Sequence, residues 1–297
     1  MNDVEVGSAG AEVIRGERFA FGRNWSRFLS LVNRERIQGA AASLMSMLEV
    51  TDLHGVRFLD AGCGSGLFSL AARHLGATVQ SFDFDLQSVR CAQELRDRYF
   101  PADRQWFIEP GSVLDGDYVQ NKGEFDVVYC WGVLHHTGAM WQGLANLTRV
   151  VAPGGKLFIA LYNDQGRVST MWRFVKRLYC SNLLARALIC GWFITYWVTR
   201  GFVGDLLRRR NPFGRYLRPQ TRGMSLFYDW FDWLGGLPFE VARPEQVVRF
   251  CRDRGFTLQS LATVGGGFAN NEFVFVRPVP EDQRALDVIS SAGPVEP

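Results

Sequence analysis

A short apolar run that ends in a carboxylate and meets three alternating glycines constrains this chain more than any other feature. Val56-Arg57-Phe58-Leu59 closes on Asp60, and Ala61-Gly62-Cys63-Gly64-Ser65-Gly66 follows directly. Beyond the glycines, apolar residues recur at helical spacing as far as Leu75. Strand, tight turn and helix are the elements this order predicts. Glycine supplies the backbone freedom such a turn needs and lets a ligand approach the main chain. The start of the helix adds N–H groups that have no partner within it.

The rhythm repeats downstream. Strands are predicted at Thr78 to Phe82, closing on Asp83, at Trp106 to Ile108, at Phe125 to Cys130, and at Lys156 to Leu161 after a turn at Ala152-Pro153-Gly154-Gly155. Helices are predicted at Leu86 to Arg98 and Trp141 to Val150. Alternating strands and helices mean βαβ units, hence an α/β fold with a Rossmann-like doubly wound sheet. The rhythm stops after Leu161 and resumes with a helix at Pro244 to Arg254 and strands at Thr257 to Val264 and Glu272 to Arg277. A short turn rich in Gly and Asn joins those strands, so the sheet should be mostly parallel with an antiparallel last strand. The expected organisation is an N-terminal helical cap over 1–50, a core over 51–161, a large helical insertion after strand five over 162–240, the C-terminal part of the core over 241–277 and an aperiodic tail over 278–297.

The bulk composition narrows the class. With 297 residues, 47% of them hydrophobic and 21% charged, the chain suits a soluble globular protein. Its six cysteines, Cys63, Cys91, Cys130, Cys180, Cys190 and Cys251, form no CxxC pair, and its four histidines complete no zinc pattern. Reduced thiols and no metal are expected. Asp3, Glu5 and Glu12 at the N-terminus speak against a signal peptide. Thirteen uncharged residues, Ala187 to Thr199, lie between Arg186 and Arg200. A spanning helix needs about 20. The expected location is the cytoplasm, with attachment at a membrane surface left open.

Two ligand classes compete for the glycine loop. A dinucleotide fingerprint reads G-x-G-x-x-G, but Gly62, Gly64 and Gly66 give G-x-G-x-G, and Leu67 stands where the third glycine of that fingerprint belongs. Asp60 would repel a pyrophosphate, whereas a carboxylate there suits a ligand with an ammonium group. Asp60-x-Gly62-x-Gly64-x-Gly66 resembles the cofactor loop of class I S-adenosylmethionine-dependent methyltransferases. Asp83 matches the family's acidic residue for the ribose hydroxyls, with Phe84 beside it for adenine. Gly111-Ser112-Val113 matches the stretch lining adenine. Phe125 to Cys130 resembles the fourth strand, whose end the family places near the sulfonium, and Ala152 to Gly155 the turn before the fifth. The resemblance covers roughly residues 58–161 and the last two strands. It implies S-adenosyl-L-methionine as cofactor and S-adenosyl-L-homocysteine as its product. It also implies that Phe19, Phe21, Asn24 and Trp25 form a lid.

The loop after the fourth strand, Trp131 to Thr137, should reach the methyl donor, which makes His135 and His136 the candidates for a general base. A capping or structural role for either histidine stays open. Tyr162 and Asn163 follow the fifth strand, and Asn271 lies at the start of the last one, so all three are substrate candidates. Trp230 and Trp233, in the turn-rich stretch after the insertion, could wall the substrate pocket or anchor the insertion.

The insertion holds twelve basic residues between 165 and 225 against the single acidic Asp205, a local balance of +11 that leaves −8 for the rest of a chain of net +3. Aromatics are interleaved with the arginines. A helical lid, an anionic-substrate site, peripheral contact with an anionic membrane surface and a nucleic-acid grip are the readings. The last is the least favoured, because no RNA-binding module accompanies it. The stretch resembles a group of bacterial methyltransferases of mostly unassigned substrate. Methyl transfer to an oxygen or nitrogen of a small, lipophilic or anionic molecule is the expected reaction. Its rivals are action on a membrane lipid or quinone, a non-catalytic cofactor-binding partner subunit and a nicotinamide oxidoreductase.

Overall fold

The computed structural model of the chain describes residues 25, 29–209, 211, 233–265 and 269–279. Among them, seven strands form one sheet: β1 (Arg57–Ala61), β2 (Thr78–Asp83), β3 (Trp106–Pro110), β4 (Phe125–Trp131), β5 (Val151–Tyr162), β6 (Thr257–Ala262) and β7 (Asn270–Val276). Their order is β3-β2-β1-β4-β5-β7-β6. Strands β1 to β5 pair in parallel, and β7 runs antiparallel to both neighbours. The helices are α1 (Arg34–Leu48), α2 (Leu67–His74), α3 (Leu86–Tyr99), α4 (Gly116–Gln120), α5 (Met140–Thr148), α6 (Arg167–Ser181), α7 (Leu183–Leu207) and α8 (Pro244–Arg252).

Side chains alternate across each strand, so the sheet builds two cores. Phe58, Val79, Val127, Tyr129, Phe158 and Val274 meet Ile37, Leu44, Leu70 and Leu95 of α1, α2 and α3. On the other face Leu59, Phe82, Val128, Cys130, Leu157, Ile159, Phe273 and Phe275 meet Leu144, Leu147, Val247 and Cys251 of α5 and α8. Burial on both faces is why the strands read as apolar runs and not as polar–apolar alternation. Helix starts are fixed locally. The Asn33, Asp85 and Asp115 side chains accept backbone N–H bonds from Arg36, Gln87 and Tyr118 at 3.0, 2.8 and 2.9 Å, each worth about 1 kcal/mol.

The strand order reverses between β1 and β4, and ligands of open α/β sheets sit beyond the C-terminal strand ends at such a point. The glycine loop and a 3-10 turn, Leu134–His136, both arrive there.

One local expectation changes. The turn at Ala152 to Gly155 is part of β5: Gly154 N–H and Gly155 O pair with O and N–H of Arg277, while a φ of 77° at Gly154 takes the bend. The five-residue α4 is too short to leave a periodic signature. The described part of the insertion holds two long helices, α6 and α7, and α7 buries only Phe193 and Asp205. Phe19, Phe21, Asn24 and Trp230, most of the predicted cap and tail, and Arg210, Arg215, Arg218 and Arg222 lie outside the described residues.

Candidate active site

Gly62, Gly64 and Gly66 have φ of 82°, 54° and 80°, in the left-handed region that favours glycine. A Cβ would lie 2.5 Å from Val133 at Gly62, 3.0 Å from the Trp25 ring at Gly64 and 2.9 Å from Ala92 at Gly66, so the cradle has no room for side chains. Its amides turn inward. Gly62 and Cys63 N–H donate to the Phe82 carbonyl at 2.8 and 3.1 Å, Gly66 N–H to Cys63 O at 2.9 Å, and Gly64 N–H to Asp83 Oδ2 at 2.9 Å. A pyrophosphate is held by outward amides of such a loop. Here those of Gly62, Cys63, Gly64 and Gly66 are engaged, and two carboxylates stand beside them. The loop therefore fits a nucleoside that carries a positive charge and no phosphate, which is the chemistry of S-adenosylmethionine.

Asp60 is 2% exposed, and the β1 pleat sends its carboxylate inward toward α2. Ser69 Oγ–H donates to Asp60 Oδ2 at 2.5 Å, and Ser69 Oγ lies 2.7 Å from Ser81 Oγ. Trp106 Nε1–H donates to Ser81 Oγ at 2.9 Å. The indole can only donate, so with Asp60 ionised every proton in this chain points toward the carboxylate. Burial, opposed by the Ser69 hydrogen bonds and reinforced by the charge of Asp83, pushes the Asp60 carboxyl up to about 7. Asp60 thus anchors the first turn of α2 from beneath the loop, and its charge reaches a ligand only from that position.

Asp83 is held at both oxygens, by Gly64 N–H and, at 2.9 Å, by Asp85 N–H, which fixes a half-buried carboxylate at the end of β2. Phe84 follows it, half-buried. Ser112 turns its hydroxyl to Leu114 N–H at 3.2 Å, and Val113 packs into the core beside it. Trp25 stands over Gly64. Cys130 is not brought to the crevice. Alternation along β4 places it in the core on the α5 side, and burial pushes its thiol well above the usual range.

The two histidines differ. His135 Nδ1 accepts Tyr162 N–H at 3.3 Å and its ring lies on Tyr162 with centroids 3.7 Å apart. Burial, then nearby His136 and Lys176, hold it well below the usual imidazole range, so it stays neutral. His136 Nδ1 lies 2.8 Å from the Pro238 carbonyl, which accepts only, so Nδ1 carries the proton and the neutral ring keeps its lone pair on Nε2. Glu240 fastens the same turn: its N–H donates to His135 O at 2.9 Å and its carboxylate accepts Met140 N–H at 3.1 Å, at the start of α5.

Tyr162, at the end of β5, opens an aromatic wall with Trp233, Trp172 and Phe239. Trp233 lies 4.9 Å from Tyr162 and 5.5 Å from Trp172, between centroids. Asn163 and Asn271 instead tie strand ends together. Asn271 Nδ2–H donates to Asn163 Oδ1 at 3.0 Å, and Asn271 Oδ1 accepts Val264 N–H at 3.2 Å.

Sequence reasoning missed Ser69, Ser81, Glu240 and Lys176. Lys176 is wholly buried, its Nζ 4.4 Å from the Trp233 centroid and 4.8 Å from that of Phe239, and it donates to the Trp233 carbonyl. Its signal was legible, since it interrupts the stripe Trp172, Lys176, Tyr179 on the packed face of α6. Among the described residues no group of three or more His, Cys, Asp or Glu is placed to hold a metal ion.

Comparison with known proteins agrees with this geometry. A methyltransferase-domain family model matches residues 59–157. A protein of Caulobacter sp. strain K31 named ubiquinone biosynthesis O-methyltransferase is 31% identical over 220 residues, covering 72% of this chain and 73% of that protein. An uncharacterised protein of Synechococcus sp. is 40% identical over 113 residues, 37% of this chain and 26% of its own length. The chain thus spans about a quarter of that relative and about half of several others. The fold matches magnesium protoporphyrin IX methyltransferase from Synechocystis PCC 6803 with bound S-adenosylhomocysteine, at a TM-score of 0.53 and 17% identity, over 90% of this chain and 99% of that one. The chain belongs to the S-adenosylmethionine-dependent methyltransferases. S-adenosylmethionine is the cofactor of that family.

Proposed function

We propose that the chain transfers the methyl group to an oxygen of a small lipophilic molecule, with His136 as the general base. The observation that carries this reading is the pairing of a histidine whose tautomer leaves Nε2 basic with the aromatic wall of Tyr162, Trp233 and Phe239 at the same strand ends. Relatives named for O-methyl transfer in ubiquinone biosynthesis support oxygen as acceptor and an apolar, ring-bearing substrate. The wall is mostly aromatic, which suits an apolar ring, and the buried Lys176 ammonium against Trp233 and Phe239 sets one positive charge beside it.

The bound cofactor supplies an electrophilic methyl on sulfur. The chain's part is positioning and proton handling. The glycine cradle and Asp60 would hold the amino-acid end, with Asp83 at the ribose and Phe84, Ser112 and Val113 around adenine. Trp25 would cover the loop. His136 Nε2 takes the hydroxyl proton as the oxygen becomes a nucleophile, and the Pro238 carbonyl steadies the resulting imidazolium through Nδ1–H. His135, neutral and engaged with Tyr162, orients the turn and takes no proton. Tyr162, Asn163, Trp233 and Asn271 shape the acceptor end, the asparagines by holding β5 to β7.

Incubation with labelled S-adenosylmethionine and a panel of catechols, hydroquinols and aliphatic amines tests the reading. Label on a hydroquinol or catechol oxygen, lost in His136→Ala with cofactor binding retained, supports it. Label on amines alone contradicts it.

A further inference from the structure

Among the described residues, the helical hairpin of α6 and α7 exposes the most extensive apolar surface. Exposed large hydrophobic residues concentrate there: Phe174 is 66% exposed, Leu184 71%, Leu188 66%, Trp192 61% and Leu207 80%. On α7 the residues Leu184, Leu188, Trp192 and Tyr196 follow one another at intervals of four, and Val203 and Leu207 extend the stripe, so they share one face. Trp192 and Tyr196 stack at 5.9 Å with planes 15° apart, and they line a shallow groove with Thr195, Thr199, Arg200 and Val203. The opposite face packs Phe193 against Trp172 of α6.

The charges around this stripe have one sign. Arg177, Arg186, Arg200, Arg208 and Arg209 are exposed, and the one carboxylate between residues 165 and 209, Asp205, is buried at 3% exposure. A second copy docked through the same stripe would bring these cations against their equivalents. An anionic lipid surface accepts both features, headgroups taking the guanidinium groups and acyl chains the stripe, with Trp and Tyr at the boundary. No described helix is long and apolar enough to cross a membrane, so any bilayer contact of α7 runs along the surface. We infer that α7 docks the enzyme on an anionic bilayer through the Leu184–Leu188–Trp192–Tyr196 stripe. The surface goes beyond the acceptor reading above and stands whether or not that reading holds. Trp172 of α6 joins the Tyr162 and Trp233 cluster, so the docked hairpin is packed against the end of β5.

The test is co-sedimentation of the full chain with vesicles of phosphatidylcholine alone or with phosphatidylglycerol, at low and high salt. Binding should require phosphatidylglycerol and weaken with salt. A Leu188→Glu/Trp192→Glu variant should lose at least about tenfold in partition, and Arg200→Gln/Arg208→Gln should lose severalfold while steepening no salt dependence. Both variants should bind S-adenosylhomocysteine as the parent does, which shows that they fold. The inference is overturned if the full chain ignores anionic vesicles or if the Glu variant binds them equally well. It is also overturned if sedimentation equilibrium finds a dimer that Trp192→Glu splits, since the stripe then belongs to a second copy. Cofactor titration and label transfer read the methyl-transfer site separately, so its failure would be told apart.

Discussion

Replacing Asp60 by asparagine isolates what the buried carboxylate contributes. In the folded chain this carboxyl is held up to about 7, chiefly by burial, against an ordinary value of 3.8. The folded state therefore keeps the proton through an interval in which the unfolded chain has released it, and stability falls as pH rises through that interval. From pH 5 to pH 8 the wild-type cost grows over about two pH units, or about 3 kcal/mol at 1.36 kcal/mol per unit. The asparagine oxygen can still accept the Ser69 hydroxyl and nothing titrates, so the variant escapes this cost. Urea unfolding of the cofactor-free proteins at pH 5, 6, 7 and 8 should show the stability of Asp60→Asn relative to wild type rising by about 3 kcal/mol across the range. Other titrating groups are common to both proteins and cancel. The same variant should bind S-adenosylhomocysteine more weakly at pH 8, and the gap should narrow toward pH 6 as wild-type Asp60 takes up its proton. A stability difference that does not change with pH would refute the buried, proton-holding carboxyl.

Other outcomes follow from the same geometry. His136→Ala should lower kcat by about a hundredfold or more, while calorimetry finds the affinity for S-adenosylhomocysteine unchanged. His135→Ala should act mainly on stability through the lost Tyr162 contacts, seen as a lower Tm with kcat less affected. Gly66→Ala, with φ of 80° and its new Cβ 2.9 Å from Ala92, should lose about 2–4 kcal/mol in urea unfolding.

The sheet was legible because burial on both faces leaves a mark in the chain: runs such as Val56 to Leu59 and Phe125 to Cys130, each closed by a turn, leave few alternatives to a parallel α/β core. The glycine loop was legible because alternate left-handed positions demand glycine. What escaped was whatever depends on side-chain direction or on distant segments meeting. Asp60 was placed at the right strand end, yet the pleat turns its carboxylate toward Ser69, and no local pattern states that. The difference between His135 and His136 rests on Tyr162 and Pro238, the latter 102 positions away. Cys130 stood at the right depth on the wrong face. Lys176 could have been noticed as the charged member of a packed stripe, but the rings it meets, Tyr162, Trp233 and Phe239, come from two other segments.

The most direct measurement is calorimetric titration of wild type and Asp83→Ala with S-adenosylhomocysteine and with NAD. Wild type should bind the nucleoside and give no heat with the dinucleotide. Asp83→Ala should bind at least about tenfold more weakly, because it loses the carboxylate proposed for the ribose hydroxyls and the tether of Gly64. Equal affinity in the variant, or binding of NAD in preference, would contradict the account of how this cleft chooses its cofactor.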